Sequence, residues 1–269
     1  MPRSTLAVLV CAASPALGCK APEAAPKDLD GLVHYFWDGY EGAEDADLAD
    51  AAANLMAATD GRTRTEVLDG TISALDAGQV AAVGIEGQAA ADAQGVFLVN
   101  VFACGLSRLE ELLLAKDQDV LYEGVYDRYS RTYTSSRAEY ESREVTTMRW
   151  DVEYDATILG ASYTAWMDGG LRAVPGQGED ASPWGEFIVQ RTFMARPAAF
   201  ENDGKSLEQD YQIEVYIERS PGEILHVYGL WREADFGAGF TSEDEGVQTI
   251  MLNNMKGWDD DTAALCALD

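Results

Sequence analysis

Regular alternation between apolar and polar residues in the second half of the chain limits its fold more than any other feature of the sequence. Residues 148–154 and 211–217 change character at nearly every position, which is the period of a β-strand with one buried face. Residues 220–223 read Ser-Pro-Gly-Glu, a turn signal between two such segments. The alternation predicts a half-buried antiparallel sheet. Further strands are expected over 158–166, 171–174, 186–194 and 224–232, with Gly169-Gly170 as one of the connections.

Helical patterns flank these strands on both sides. Residues 28–95 are mostly helical by their apolar spacing, whereas 96–102 are β-branched and aromatic and predict a strand. A capping box at Ser242 predicts the start of a C-terminal helix. Carboxylates are unfavourable at a helix C-terminus, so the run 259–261 predicts a break, with Asp259 or Asp260 capping a last turn. Residues 224–232 carry apolar groups on both faces, which predicts a sheet covered on both sides, the outer one by the N-terminal helices.

The order of elements from residue 96 resembles the helix-grip fold of START-like domains, in which a curved sheet wraps around the last helix. The resemblance covers residues 96–266 and implies an α+β fold. The chain is thus expected to consist of a helical N-terminal segment over 28–95 and an α+β sheet/helix domain over 96–269. It also implies a ligand pocket between the sheet and the C-terminal helix. A lipocalin-like β-barrel is the alternative, because lipocalins also end in a helix.

The first nineteen residues resemble the export signal of a bacterial lipoprotein. A short basic start is followed by an apolar run over 5–13 and by Ala16-Leu17-Gly18-Cys19, which is similar to a lipobox. The resemblance implies removal of 1–18, lipidation of Cys19 and a lipidated tether over 19–27. Lys20 after the cysteine implies, by resemblance to Gram-negative lipoproteins, anchoring to the outer membrane of the cell envelope. Ordinary secretion is the alternative.

The four cysteines divide into two groups. Cys11 lies in the predicted signal and Cys19 is the predicted lipidation site. Cys104 and Cys266 remain, an even pair in an oxidising compartment, and we expect a disulfide between them, two free buried thiols being the alternative. The chain has no C-x-x-C pair, so no structural zinc site is indicated.

The charge of the chain excludes one class of partner. Nineteen lysines and arginines against 47 acidic residues give a net charge of -28, which repels a phosphate backbone and argues against nucleic acid. The uninterrupted apolar runs are too short for a membrane span. The expected contact with a membrane is therefore the lipid anchor.

Residues suited to catalysis or metal binding are present, but they do not form a recognisable constellation. His34 and His226 have no ligands or nucleophile at a telling spacing, and residues 259–261 lack the pattern of a calcium loop. Carboxylate pairs such as Glu186 with Glu214, or Asp151 with Glu153, fall on the polar faces of strands. We therefore expect no enzyme activity, no metal and no cofactor.

Aromatic residues are spread along the predicted sheet, where they either fill a core or line a pocket. We expect a small apolar or lipidic ligand between the sheet and the C-terminal helix. A structural or protein-interaction lipoprotein without a ligand pocket is the alternative. The candidates for the pocket lining are Trp150, Tyr154, Trp166, Phe187, Tyr228 and Trp231.

Overall fold

The alternating segments form the strands of a single antiparallel sheet. The computed structural model describes residues 24–83, 88–158, 160–175, 185–201 and 204–268, so the predicted signal, the lipobox and Cys19 lie outside the described residues. The order of the strands across the sheet is β1-β2-β8-β7-β6-β5-β4-β3. Their bounds are β1 Leu68–Ile72, β2 Gln94–Ala103, β3 Arg128–Tyr133, β4 Thr147–Ile158, β5 Ala161–Val174, β6 Phe187–Phe200, β7 Ser206–Ser220 and β8 Glu223–Asp235.

Helices pack on both sides of this sheet. None in the described part of the chain is both long and apolar enough to cross a bilayer. A single 3-10 turn at Ala90–Asp92 precedes β2. The α-helices of the described residues are α1 Leu29–Gly42, α2 Asp45–Ala58, α3 Ala77–Ala81, α4 Leu106–Leu113, α5 Gln118–Leu121, α6 Arg137–Glu141 and α7 Glu245–Cys266.

The predicted α+β helix-grip arrangement is confirmed. The eight-stranded antiparallel sheet curves, and the long helix α7 lies on its concave face. The sheet is open, with β1 and β3 at its two edges, so the lipocalin-like barrel is wrong.

Each face of the sheet has its own apolar core, as expected from the mixed pattern of 224–232. On the convex face α1 and α2 pack over alternate residues of the central strands, with Trp37 and Trp231 at the centre. On the concave face α4 and α7 pack over the intervening residues, with Met148, Trp150 and Tyr216 among them. Strand alternation thus sends neighbouring residues into two separate cores.

The N-terminal segment departs from its helical prediction at one point. Residues Leu68–Ile72 form the edge strand β1, which pairs with β2. A segment of five residues with a glycine at its centre has too short a pattern to indicate a strand. It becomes a strand because it pairs with β2. The segment 28–95 therefore contributes a strand to the sheet.

The glycine pair at 169–170 also differs from its prediction, because β5 runs through it without a break. A Cβ added to Gly169 would lie 2.9 Å from Nε1 of Trp150, and one added to Gly170 would lie 2.6 Å from the hydroxyl of Tyr40. These glycines thus allow side chains from both faces to approach the strand closely, which is a role of glycine inside strands.

A disulfide joins the end of β2 to the end of α7. Cys104 and Cys266 are bonded, with Cα atoms 5.3 Å apart and a sequence separation of 162. The bond holds the last turn of α7 against the sheet, next to the concave core.

Candidate functional site

A cavity of about 470 Å³ lies between the concave face of the sheet and helix α7. Its volume falls within the range of small-molecule sites, and it is found where the resemblance to helix-grip domains implies a pocket. The lining includes Tyr126, Tyr129, Arg131, Tyr154, Tyr163, Gln190, Gln212, Glu214, Tyr228, Leu230, Arg232, Met251, Met255 and Trp258.

Strand alternation explains the polar part of this lining. On β7, Ile213 and Val215 belong to the convex core, whereas Gln212 and Glu214 line the cavity. Alternation alone shows that a strand has two different faces. Because α7 packs over the polar face, these residues face the cavity between the sheet and the helix.

A buried charge network lies at the floor of the cavity. His226 is fully buried on β8, and its Nδ1 lies 2.7 Å from Oδ1 of Asp259 on α7. Asn100 on β2 donates to the second oxygen of Asp259 at 2.9 Å. On the other side of the ring, Nε2 lies 3.3 Å from Oε2 of Glu214, at an angle outside that of a hydrogen bond. The network joins three strands to the final helix.

The carboxylate of Glu214 is held by two further groups. Gln190 donates to one of its oxygens and the hydroxyl of Tyr216 donates to the other. The ring of Tyr216 stacks on His226 with centroids 4.3 Å apart. Glu214 lines the cavity and is therefore the member of the network that a ligand meets.

The protonation of His226 follows from these neighbours. Burial by itself disfavours the charged imidazole, but the carboxylates of Asp259 and Glu214 outweigh that effect and raise the pKa of His226 to about 9. The ring is therefore a cation near neutral pH, between two carboxylates. Burial and the adjacent Glu214 raise the pKa of Tyr216 well above its usual range, so its hydroxyl remains a donor.

Helix α7 is continuous through the residues where a break was expected, so that prediction is wrong. The helix begins after Asp244 and ends at Cys266, and Asp259 lies inside it. Its carboxylate is fully buried against His226 and Asn100. These partners stabilise an acidic side chain late in a helix, whereas the sequence pattern shows only the unfavourable helix dipole.

Tyrosines and two arginines form one wall of the cavity. Tyr126 packs against Tyr129 at 5.0 Å and against Tyr154 at 5.3 Å between ring centroids, and Tyr154 is 6.1 Å from Tyr163. We call these four residues the tyrosine cluster. Arg131 reaches into the same wall.

The second arginine of the wall, Arg232, carries its own counter-charge. It donates from Nε to Oδ2 of Asp210 at 2.6 Å, and Asp210 is buried. The paired guanidinium and carboxylate add polar groups to the cavity without a net charge.

The predicted pocket residues are divided between the two faces. Tyr154 and Tyr228 line the cavity. Trp150 is buried in the concave core, where the guanidinium of Arg131 covers its ring at 4.3 Å. Phe187 and Trp231 were expected in the pocket but belong to the convex core, because alternation turns them away from α7.

Trp166 also lies on the face opposite the cavity. Its indole Nε1 donates to Glu153, the residue directly opposite it on β4, and Arg196 covers the ring at 3.7 Å. Phe187, Trp166 and Trp231 share this placement for one reason: their strand positions alternate with those of the cavity residues.

The remaining candidate residues lie outside the cavity. His34 contacts Gln79 and Ser73 beside α1, Glu186 pairs with Arg143, and Glu153 pairs with Arg128. Within the described ranges, no hydrogen bond joins His226 to a serine, threonine or tyrosine oxygen, and no group of three or more histidine, cysteine or acidic residues is placed to hold a metal.

Comparisons with known proteins return only distant likenesses in structure. No family model and no curated protein matches the chain. Solved structures that are similar include a START superfamily protein from Mycobacterium smegmatis, with 8% identity and a TM-score of 0.42 over 65% of this chain and 97% of that one. Human StAR-related lipid transfer protein 5 is similar with 8% identity and a TM-score of 0.44 over 83% of this chain and 97% of that one.

An enzyme is also among the similar structures. Dicamba monooxygenase has 12% identity and a TM-score of 0.42 over 66% of this chain and 49% of the enzyme. Likenesses at this level concern the fold alone.

Proposed function

We propose that this protein is a non-enzymatic binder of a small amphipathic molecule, held in the cavity between the sheet and α7. The observation that carries the proposal is the hollow itself, about 470 Å³ beside a core that is otherwise packed. Interiors are close-packed, so a space of this size between two packed elements favours a ligand.

The lining favours a ligand with both polar and apolar parts. Leu230, Met251, Met255 and Trp258 supply an apolar surface, and the tyrosine cluster with Arg131 supplies hydrogen-bond donors. A purely apolar molecule would leave these polar groups without partners, at a cost in free energy. The proposal therefore changes the expected apolar ligand to an amphipathic one.

The absence of an activated nucleophile in the described residues supports binding over catalysis. His226 lies between two carboxylates and stacks on the ring of Tyr216. Its imidazole therefore forms ion pairs at the floor of the cavity and is not hydrogen-bonded to a hydroxyl that it could activate as a nucleophile.

The ligand is tested by purifying the full chain under native conditions and extracting it with organic solvent. Mass spectrometry of the extract should find one amphipathic compound in near-stoichiometric amount. A matched preparation of the Ala156→Phe variant, which fills the cavity, should yield none. An empty extract from the native protein, together with no binding of amphipathic probes, would defeat the proposal.

We further propose that the domain is tethered to a cell envelope through Cys19. The support is the signal-like apolar run and the small residues before that cysteine. Expression in a Gram-negative host and mass spectrometry of the membrane fraction should find a chain that starts at Cys19 and carries acyl groups. A Cys19→Ser variant should move to the soluble fraction. A native chain with an intact leader and no acyl group would contradict this proposal.

A further inference from the structure

Arg131 holds a positive charge in the cavity wall that no carboxylate of the described chain neutralises. Its Nε and Nη2 donate to the hydroxyl of Tyr129 at 3.0 and 2.7 Å, and its Nη1 donates to the carbonyl of Leu113. Its guanidinium covers the ring of Trp150. These partners fix the side chain, but all are neutral.

The other charged groups that line the cavity differ from Arg131. Arg232 is paired with Asp210, Glu214 faces the imidazolium of His226, and Asp261 is exposed on α7. The chain as a whole has a net charge of -28. In a protein with such an excess of carboxylates, a fixed arginine in a cavity wall with no carboxylate paired to it leaves its counter-charge to the ligand.

The tyrosine cluster adds donors beside this arginine. The hydroxyl of Tyr129 already accepts two hydrogen bonds from Arg131, so its own proton is directed to another acceptor. Tyr126 packs against it at 5.0 Å. Burial raises the pKa of Tyr126, Tyr129 and Tyr154, which keeps their hydroxyls protonated.

We propose that the ligand carries an anionic head group, such as a carboxylate, which binds Arg131 and the adjacent hydroxyls of the tyrosine cluster. This inference rests on the proposed function and names the chemistry of one end of the ligand. A cationic head group, which aromatic rings alone would attract, is disfavoured here because the guanidinium occupies the position over Trp150. The apolar part of the ligand then lies along Leu230, Met251 and Met255.

The experiment compares probes that share a ten-carbon chain and differ in the head group. Decanoate and decyltrimethylammonium below their micelle concentrations, and decanol below its solubility limit, are titrated into the full chain at pH 7.5 by calorimetry. Trp258 in the cavity lining gives a second, fluorescence readout. Inorganic phosphate alone tests whether an anion without the chain is sufficient.

Arg131→Gln is the test variant, and Arg128→Gln is its matched control. Both arginines are on β3, but Arg128 is exposed on the opposite face and pairs with Glu153 and Asp155. Decanoate should bind the native protein about tenfold more tightly than decanol, since a hydrogen bond to a charged group is worth roughly one factor of ten or more. Arg131→Gln should remove that preference and leave the affinity for decanol unchanged, whereas Arg128→Gln should retain it.

The outcomes separate the two proposals. Equal binding of decanoate and decanol, stronger binding of the ammonium probe, or an unchanged preference in Arg131→Gln would each overturn the anionic head group while the binding function stands. Equal binding of inorganic phosphate and decanoate would instead overturn the amphipathic ligand of the proposed function. If no ten-carbon probe binds and the native extract is empty, the binding function itself fails.

Discussion

The two faces of the sheet are built from alternate residues of the same strands, yet one is solid and the other is hollow. On the convex face, the β7 residues Tyr211, Ile213 and Val215 pack under α1 in a continuous apolar core. On the concave face, their neighbours Gln212 and Glu214 line a cavity. One strand therefore provides stability with one set of side chains and a binding surface with the other.

The two faces differ in where their charged partners lie. Around Trp37 and Trp231 the rings contact each other and both indoles donate to backbone carbonyls, while Arg172 and Arg191 on this face pair with carboxylates that are partly exposed. Around His226 the contacts to Glu214 and Asp259 are charged and fully buried. Such a network depends on every member, because removing one leaves a buried charge without its partner.

The largest expected effect is on the solid face. Trp231→Ala should lower the free energy of unfolding by about 3–5 kcal/mol, because it removes a fully buried indole and leaves a cavity. Chemical denaturation measures the change. The affinity for decanoate should be unaffected in the folded fraction, since Trp231 does not touch the cavity. Trp166→Ala, on a half-buried ring of the same convex side, should cost much less. Equal costs for the two variants would contradict the assignment of a solid convex core.

On the hollow face, Asp259→Ala should cost about 3 kcal/mol, because it deprives His226 and Asn100 of their buried partner. The neighbouring Asp260 is exposed and pairs only with Lys256 at the surface, so Asp260→Ala should change the stability by about 0.5 kcal/mol or less. Denaturation of both variants under identical conditions makes the comparison. A similarly small loss of unfolding free energy in both variants would show that the network does not stabilise the packing of α7 on the sheet.

The same network predicts how stability depends on pH. The pKa of His226 is raised from 6.5 to about 9 in the folded protein. Its contribution is therefore fully present below pH 6.5 and is lost as pH rises through about 9, by up to about 3 kcal/mol. Unfolding measured from pH 6 to pH 10 should show this decline, and a His226→Gln variant should show a flatter curve. A native protein that gains stability over this range would contradict the charged state of His226.

The sequence predicts the framework of the fold more fully than the site. Alternation in 148–154 and 211–217 identifies strands, and the order of elements leads to the sheet and its final helix. Alternation cannot tell whether the polar face of a strand meets water or a cavity, so it places Glu214 on a polar face without indicating that Gln212 and Glu214 line a cavity. What lies opposite the polar face of β7 depends on how α7 packs on the sheet, and local sequence patterns do not contain that long-range contact.

Two errors have different origins, one in a long-range contact and the other in a strand position that local alternation gives. Asp259 was expected to break α7, and the local pattern gives no sign of His226 or Asn100, which lie far away in sequence. Trp231 was expected in the pocket because aromatic residues suit a ligand, although its position on β8 alternates with that of Tyr228. A strict count along the strand, starting from Tyr228, would have placed Trp231 on the other face.

Filling each face with the same added side chain tests the contrast between hollow and solid most directly. Ala156 lines the cavity, and Ala52 is buried between α2 and the convex core. Ala156→Phe should leave the free energy of unfolding within about 1 kcal/mol of the native value and abolish decanoate binding, whereas Ala52→Phe should cost about 1–3 kcal/mol through overpacking and leave binding intact. Retention of decanoate binding in a folded Ala156→Phe protein would contradict the account.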